Sequence, residues 1–452
     1  MNEPIPHPSH ADHSSQRKSY FLLYSWLVFL VAICFNAYDA YLRVTPSVTS
    51  ASLRTDLGIS EQGLGALMTF YFVPFVLLQI PVGLLIDRMG PRRLLALAVL
   101  LSATGSFLFG AATNLSMAYS ARILIGVGGA FPGVGPIYLA SRWFPARYIG
   151  ALAGLTGTST VVGSVGGQAL LGFLLDSMTW RAASYVAAGL GLLLSLLIFV
   201  LVRDNPPEGH PLHRAKSDDG ADRQTFAEAM HHLKGILSRP DNWLNGIWGS
   251  LTLMPMLAFA SLWAVPYLIS VYKVSDAVAA TAASTAFIGL AFGGPTAGLL
   301  SDSVKSRRIP MIVFASAALV DILVIVYVPG IPFEATYPLL FLLGFCLGSQ
   351  GSLVFAVALE INPPSSSGVA IGFTQALSNL GGAVFPPVIG QLLYLAGGPI
   401  AEGETTAHSV GDFKFALAVI PAGLVVAIIA ALILRESYGM RIAEVQESPE
   451  GE

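Results

Sequence analysis

Only a few ionisable residues fall inside the long apolar stretches of this 452-residue chain, and any chemistry must start from them. They are Asp39, Arg43, Arg122, Asp321 and, near the end of a stretch, Glu360. A charge at membrane depth costs at least ~3 kcal/mol, so such residues face a cavity or one another. Asp39 and Arg43 are four apart and share one helix face. Asp39 lies about nineteen residues, or roughly 28 Å, from the start of its stretch. Arg122 lies about seven residues, or roughly 10 Å, from the opposite start of its own. These depths are similar, so Asp39, Arg43 and Arg122 would form one cluster wherever the first and fourth apolar stretches are neighbours. Its chemistry would be linked binding: a proton taken by Asp39 releases an arginine to hold an anion. The competing reading is a permanent ion pair that fixes helix packing. Asp321 is either a second coupling group or, as expected here, a hydrogen-bonded structural acid. Tyr38, Tyr41, Tyr71, Tyr138, Gln168, Trp248, Trp263, Gln350, Gln375 and Asn379 sit at other central positions, to shape a pocket or to pack helices. Two guanidiniums with several tyrosines suit a carboxylated or zwitterionic solute better than a cation.

The elements that must hold these residues follow from composition. Apolar residues are 54% of the chain and charged residues 11%, and the mean hydropathy is +0.67. A soluble domain carries roughly 25% charged residues, so lipid has to replace water around most of this one. Stretches of about 20 apolar residues cross a bilayer. Twelve are present, near 21–48, 62–86, 93–112, 115–141, 148–175, 182–202, 243–271, 277–300, 309–329, 336–360, 367–396 and 413–435. Placing the N-terminus inside puts Arg17, Lys18, Arg88, Arg92, Arg93, Arg142, Arg147, Lys305, Arg307, Arg308, Arg435 and Arg441 on the cytoplasmic side. Only Arg54, Arg181, Lys273 and Lys414 then lie outside, which is the asymmetry of an inner-membrane protein with both termini cytoplasmic. The polar start, with His7, His10 and His13, reads as a tail rather than a cleaved leader or a metal site. Cys34 and Cys346 read as buried packing residues without a disulfide.

The chain divides into a tail (1–20), six spans (21–203), a polar linker (204–241), six more spans (242–436) and a second tail (437–452). Within the linker, Phe226, Met230, Leu233 and Leu237 recur at helical spacing, the pattern of a membrane-surface helix. The two sixes share a repeat. Gly83-Leu84-Leu85-Ile86-Asp87, then Arg88, Gly90, Arg92 and Arg93, ends the second span. Gly298-Leu299-Leu300-Ser301-Asp302, then Lys305, Arg307 and Arg308, ends the eighth.

The run at 83–93 resembles the signature loop of the major facilitator superfamily, with a degraded copy at 298–308. The resemblance implies an all-α membrane fold of two pseudo-symmetric six-helix bundles, whose first and fourth helices line a central cavity. It also implies a cytoplasmic gate around Gly83, Asp87, Arg88 and Arg92 with Arg142 as basic partner, and a second around Gly298 and Asp302, where Glu360 stands in place of Arg and the latch is expected to be weaker. The first half is further similar to the organic-anion/cation symporter branch, through Asn36-Ala37-Tyr38-Asp39, Pro46, Asp56-Leu57-Gly58-Ile59-Ser60, Gln79-Ile80-Pro81-Val82-Gly83, Arg122-Ile123-Leu124-Ile125-Gly126-Val127-Gly128, Phe131-Pro132 and Trp143-Phe144-Pro145. Ala40, not Arg, follows Asp39, and Gly129 stands where that branch often carries an acid. The antiporter signature needs a Pro that Gly163-Ser164 and Gly166-Gly167 lack.

No enzyme is expected. The eight histidines lie outside the spans, neither cysteine has a base nearby, and the Gly-rich stretches fall within spans, so they are not phosphate loops. No metal, cofactor or nucleic-acid partner is implied. The expected function is secondary active transport by alternating access, as a monomer: proton-coupled uptake of a small organic anion or zwitterion. The alternatives are an exporter of drugs, siderophores or metabolites and, more remotely, a non-transporting membrane sensor.

Overall fold

The computed structural model describes residues 10–145, 148–207, 226–363, 366–398 and 408–437, without the side chains of 10–21, 80, 83–84, 87–88, 149–151 and 226–229. Among the described residues every regular element is a helix. The first half comprises α1 (His10–Val48), α2 (Ser50–Leu57), α3 (Glu61–Met89), α4 (Pro91–Gly110), α5 (Leu115–Gly129), α6 (Gly135–Trp143), α7 (Ile149–Val165), α8 (Leu171–Leu174) and α9 (Trp180–Leu201). The amphipathic α10 (Phe226–Leu237) follows. The second half comprises α11 (Pro240–Met254), α12 (Ala264–Tyr272), α13 (Asp276–Val304), α14 (Arg308–Tyr327), α15 (Phe333–Glu360), α16 (Ser367–Gly397), α17 (Val410–Leu417) and α18 (Val419–Ile433).

Ten stretches of the described residues are long and apolar enough to cross a membrane. Of the two remaining apolar stretches of the sequence, 115–141 is a broken helix and 148–175 runs as α7 and α8 through a π-turn. Pro132 lacks the N–H that would carry α5 directly into α6, so the chain turns through Ala130–Val134. Between α7 and α8 the helix widens into a π-turn at Gly166–Leu170, and a second π-turn, Pro255–Trp263, joins α11 to α12. Such turns reset the register of side chains and recur at functional sites. Elsewhere the ends are set locally: Ser60, Asn114 and Thr179 cap the N-termini of α3, α5 and α9 through their side-chain oxygens.

Leu190, Leu193, Leu196 and Phe199 of α9 and Ile429 and Ile433 of α18 are exposed, as befits surfaces solvated by lipid. Cys34 belongs with them. It is exposed on α1, contrary to the expectation that it packs inside, while Cys346 is buried; both are free thiols. Small residues govern the closest helix pair. A Cβ at Gly293 would meet the Phe345 carbonyl oxygen at 1.9 Å, and one at Gly344 the Ala286 oxygen at 1.8 Å, so α13 and α15 touch backbone to backbone.

The face holding Asp204 and Glu436 is called here the terminal face, and the opposite one the distal face. Side-chain hydrogen bonds and an ion pair join the bundles towards the distal face. Ser47 donates to the Leu262 carbonyl at 2.9 Å, Thr69 to that of Ala383 at 2.6 Å, and Gln168 to that of Ala260 at 2.6 Å. Glu61 meets His408 at 3.2 Å. The backbone of Pro386 and Pro387 fills the space where Gly65 has no side chain, and Glu61's carbonyl does the same at Gly390. The bundles are thus closed upon each other at the distal face.

Candidate functional site

The cluster foreseen from Asp39, Arg43 and Arg122 forms within the first bundle, with a member and a geometry that spacing alone did not show. Asp39 is 2% and Arg122 1% exposed. Tyr71, on α3, donates its hydroxyl to Asp39 at 2.9 Å to Oδ1 and 3.0 Å to Oδ2. Arg43 lies one turn beyond Asp39 on α1, its Nη2 3.8 Å from Oδ2. Among the described residues Arg122 makes no ion pair with Asp39. Its Nη1 donates to the Leu42 carbonyl at 2.9 Å and its Nε to that of Leu67 at 3.2 Å, with a weak contact from Nη2 to that of Arg43 at 3.5 Å. The face of Tyr71 lies 4.9 Å from its Cζ. The buried guanidinium is therefore solvated by carbonyl dipoles and a ring.

Two elements make this arrangement possible. Pro46 near the end of α1 sits just beyond Leu42 and Arg43, whose carbonyls turn to Arg122. Gly129 at the end of α5 leaves the space that Asp39 occupies: a Cβ there would lie 2.4 Å from Oδ1 and 2.9 Å from the Tyr71 hydroxyl. Beside the cluster, Tyr41, Thr45, Ser106, Ser184 and Arg122 line a cavity of about 10 Å³, roughly the room one water needs.

The other candidates scatter. Tyr38 is turned away from the cluster and donates to the Ala187 carbonyl of α9 at 3.0 Å. Gln168 stands in the first π-turn and reaches the second, so it belongs to the seam between bundles rather than to an open pocket. Gln350, near Ser378 across Gly249, and Asn379, which donates to the Gln375 carbonyl at 2.9 Å, stay in the second bundle. Asp321 departs from expectation: it is 3% exposed, yet neither carboxylate oxygen has a hydrogen-bond partner among the described residues. A structural acid would have brought its partner along.

At the terminal face the side chains of Gly83, Asp87 and Arg88 lie outside the described residues. Arg92 receives Asp204 on its backbone N–H at 2.8 Å and lays its guanidinium on Phe199. Arg142 stacks on Tyr138 and donates to Asn205 at 2.6 Å. In the second half Arg307 spans Asp302 at 2.6 Å and Glu360 at 2.8 Å. Burial lowers the affinity of Arg307 for its proton, but the bonds to Glu360 and Asp302 outweigh this and hold its pKa above the ordinary value. Glu436 accepts from the backbone N–H groups of Arg307 and Arg308, as Asp204 does from Arg92. Ser437 donates to Glu360. Gly298 is only in ordinary van der Waals contact with Ser352, so it does not mark a tight crossing.

Sequence reasoning missed three features: the Tyr71 bridge, the space at Gly129 and the pairing of Glu61 with His408. A signal existed for the turn beside His408, since Ser409 and Asp412 have the spacing of a capping box, which the structure forms directly after it.

Among curated relatives, a probable galactarate/D-glucarate transporter of Bacillus subtilis is 24% identical, over 90% of this chain and 91% of its own. A probable L-galactonate transporter of Escherichia coli is 24% identical over 85% and 86%, and a probable hexose phosphate transport protein of Chlamydia trachomatis 25% over 79% and 83%. A bacterial homologue of the human lysosomal transporter Spinster, solved inward-facing and unoccupied, shares the fold with a TM-score of 0.70 at 17% identity, covering 92% of this chain and 96% of that one. The family model for the Major Facilitator Superfamily matches residues 27–386 and 264–442. With that match over nearly its whole length and two helical halves closed on one another, the chain belongs to the Major Facilitator Superfamily, as a multi-pass membrane transporter and not an enzyme.

Proposed function

We propose that this transporter takes up a small organic anion together with a proton, by alternating access of its two bundles. The observation that carries the reading is an inequality between two arginines. Arg122 is bonded to carbonyls and stacked on Tyr71. Among the described residues the Arg43 guanidinium has only a 3.8 Å approach to Asp39, and its side chain is 16% exposed. Arg43 is therefore the cation left for a solute carboxylate, and Asp39 is the group whose charge decides whether Arg43 is free. A proton on Asp39 releases Arg43 to the anion, so the two bind together; Arg122 holds the cavity wall in place. The curated relatives are named for sugar acids and a sugar phosphate, which supports an anionic, hydroxyl-rich solute. Charge asymmetry supports a bacterial inner membrane with the terminal face cytoplasmic. In that orientation the structure is shut to the outside.

The test is solute-dependent proton movement in proteoliposomes, screened over aldarates, aldonates and sugar phosphates. An Asp39→Asn variant is expected to exchange solute between compartments and to lose accumulation driven by a pH gradient. Proton-driven accumulation surviving in that variant would exclude the role of Asp39.

A further inference from the structure

The π-turn Pro255–Trp263 carries carbonyls that its own helix cannot satisfy. In an α-helix the Leu262 carbonyl would accept from residue 266, but that residue is Pro266, which has no N–H. Ala260 is passed over for a different reason. The Ala264 N–H reaches five residues back, to the Phe259 carbonyl. From there α12 returns to the four-residue register, so the next N–H belongs to Ser261 and Ala260 is skipped. A buried carbonyl left over in this way needs a partner from elsewhere. Both find one on the other bundle. Ser47 of α1 donates to Leu262 at 2.9 Å, and Gln168, in the facing π-turn, donates to Ala260 at 2.6 Å. Ser47, Gln168, Ala260 and Leu262 are all fully buried.

Because the donors stand on the opposite bundle, opening the distal seam removes them. The Ala260 and Leu262 carbonyls then face the opening. Gln168 Oε1 joins them as an acceptor, since it has no hydrogen-bond partner among the described residues even in the closed form. Converging acceptors select donors, and hydroxyl groups are the neutral donors of a small solute. The position fits the charged cluster as well. Asp39, Arg43 and Ser47 follow one another at four-residue spacing along α1, so Ser47 lies about 6 Å beyond Arg43. A short carbon chain spans that distance.

We propose that the Ala260 and Leu262 carbonyls are a hydroxyl-binding subsite of this transporter, bared when the distal seam opens and covered by Gln168 and Ser47 when it closes. Its ligand is the polyhydroxylated part of the solute, and closure exchanges the solute's hydroxyls for the protein's own donors. Solute and closed seam therefore compete for the same carbonyls, and a compound that binds them favours the open form. The subsite rests on the reading of the solute as a hydroxyl-rich anion, and it takes the part that Arg43 does not hold.

The test reads the seam in the full chain in lipid nanodiscs. Spin labels at Thr55 and Glu334, both exposed and on different bundles at the distal face, are introduced as cysteines after Cys34→Ser and Cys346→Ala. Pulsed electron resonance then gives the ratio of open to closed population. Galactitol, which has hydroxyls and no carboxylate, is the probe, and at saturation it is expected to raise that ratio about fivefold or more. Without solute, Ser47→Ala should raise the ratio about fivefold or more, because the closed form then keeps a bare carbonyl. Half-saturation by galactitol should fall by a similar factor. Pro266→Ala restores the N–H that Leu262 lacks, and beside it Ser47→Ala should change nothing. A ratio that ignores galactitol, or follows sodium chloride in its place, would overturn the proposal. So would a Ser47→Ala variant that needs more galactitol, or one whose effect persists beside Pro266→Ala. The Ser47 comparison keeps the test decisive if Pro266→Ala does not fold. Arg43→Gln separates the two readings: a galactitol response lost there would overturn the subsite, whereas undiminished galactarate binding there would sink the role of Arg43 alone.

Discussion

Gly129 and Asp39 stand on different spans and share one volume: a side chain at Gly129 would begin 2.4 Å from the Asp39 carboxylate. The acid is supplied from α1, and α5 supplies the space. Gly129→Ala is therefore expected to push Asp39 off Tyr71 and lower solute uptake about tenfold or more, while the folded yield and melting temperature change little. Full uptake with the added methyl would show that the carboxylate position is unimportant.

Tyr71 touches both charges, its hydroxyl on Asp39 and its ring beneath Arg122. Tyr71→Phe separates these roles. The ring is kept, and the hydrogen bond of about 1–2 kcal/mol to a charged acceptor is lost. That bond fixes the Asp39 carboxylate beside Arg43, so its loss should lower proton movement coupled to solute about fivefold or more while the fold persists. Tyr71→Ala should also cost stability. A Phe variant with undiminished coupled proton movement would remove Tyr71 from the proton pathway.

Arg307 ties Asp302 to Glu360 at the terminal face of the second bundle. Arg307→Gln and Glu360→Gln should each destabilise the protein by about 1–3 kcal/mol, with a coupling of similar size in the double variant. Since the pKa of Arg307 is raised from an already high value, its contribution is present below the unfolded value and fades only as pH climbs through the folded one. Melting temperatures recorded between about pH 6 and about pH 9 should show the same loss throughout.

Glycines of like appearance should answer differently to substitution. Gly293 faces the Phe345 carbonyl oxygen at 1.9 Å, whereas a Cβ at Gly154 would meet nothing within 4 Å. Gly293→Val is expected to abolish folded yield, because α13 and α15 would have to separate. Gly154→Ala should leave yield and uptake near the parent. Equal tolerance at both positions, scored by size-exclusion profile, would contradict the backbone contact.

The spans, their pairing into two halves and the Asp39–Arg43 face were legible in the sequence, because lipid imposes length and apolarity on helices and a four-residue spacing places partners on one face. What was illegible depends on rotation about a helix axis. Tyr38 and Tyr41 are three apart on α1, yet Tyr38 bonds to α9 and Tyr41 borders the small cavity beside Arg122. The partner choice of Arg122 was hidden for another reason: backbone carbonyls carry no residue identity, so three of them beside a buried cation leave no mark in composition. His408 was obscured by its position outside the apolar stretches, where a histidine ordinarily means solvent.

The matched caps at the terminal face bear on how such a molecule came to have two halves. Asp204 beyond the sixth span and Glu436 beyond the twelfth accept from the backbone at Arg92 and at Arg307 and Arg308. The residues beside them have drifted: the fourth span ends near Arg142, the tenth in Glu360. If a duplicated ancestor stands behind the repeat, it passed on the acid that answers main-chain N–H groups, which no substitution elsewhere can remove. The side-chain pairs next to it, whose partners can mutate together, were free to exchange sign.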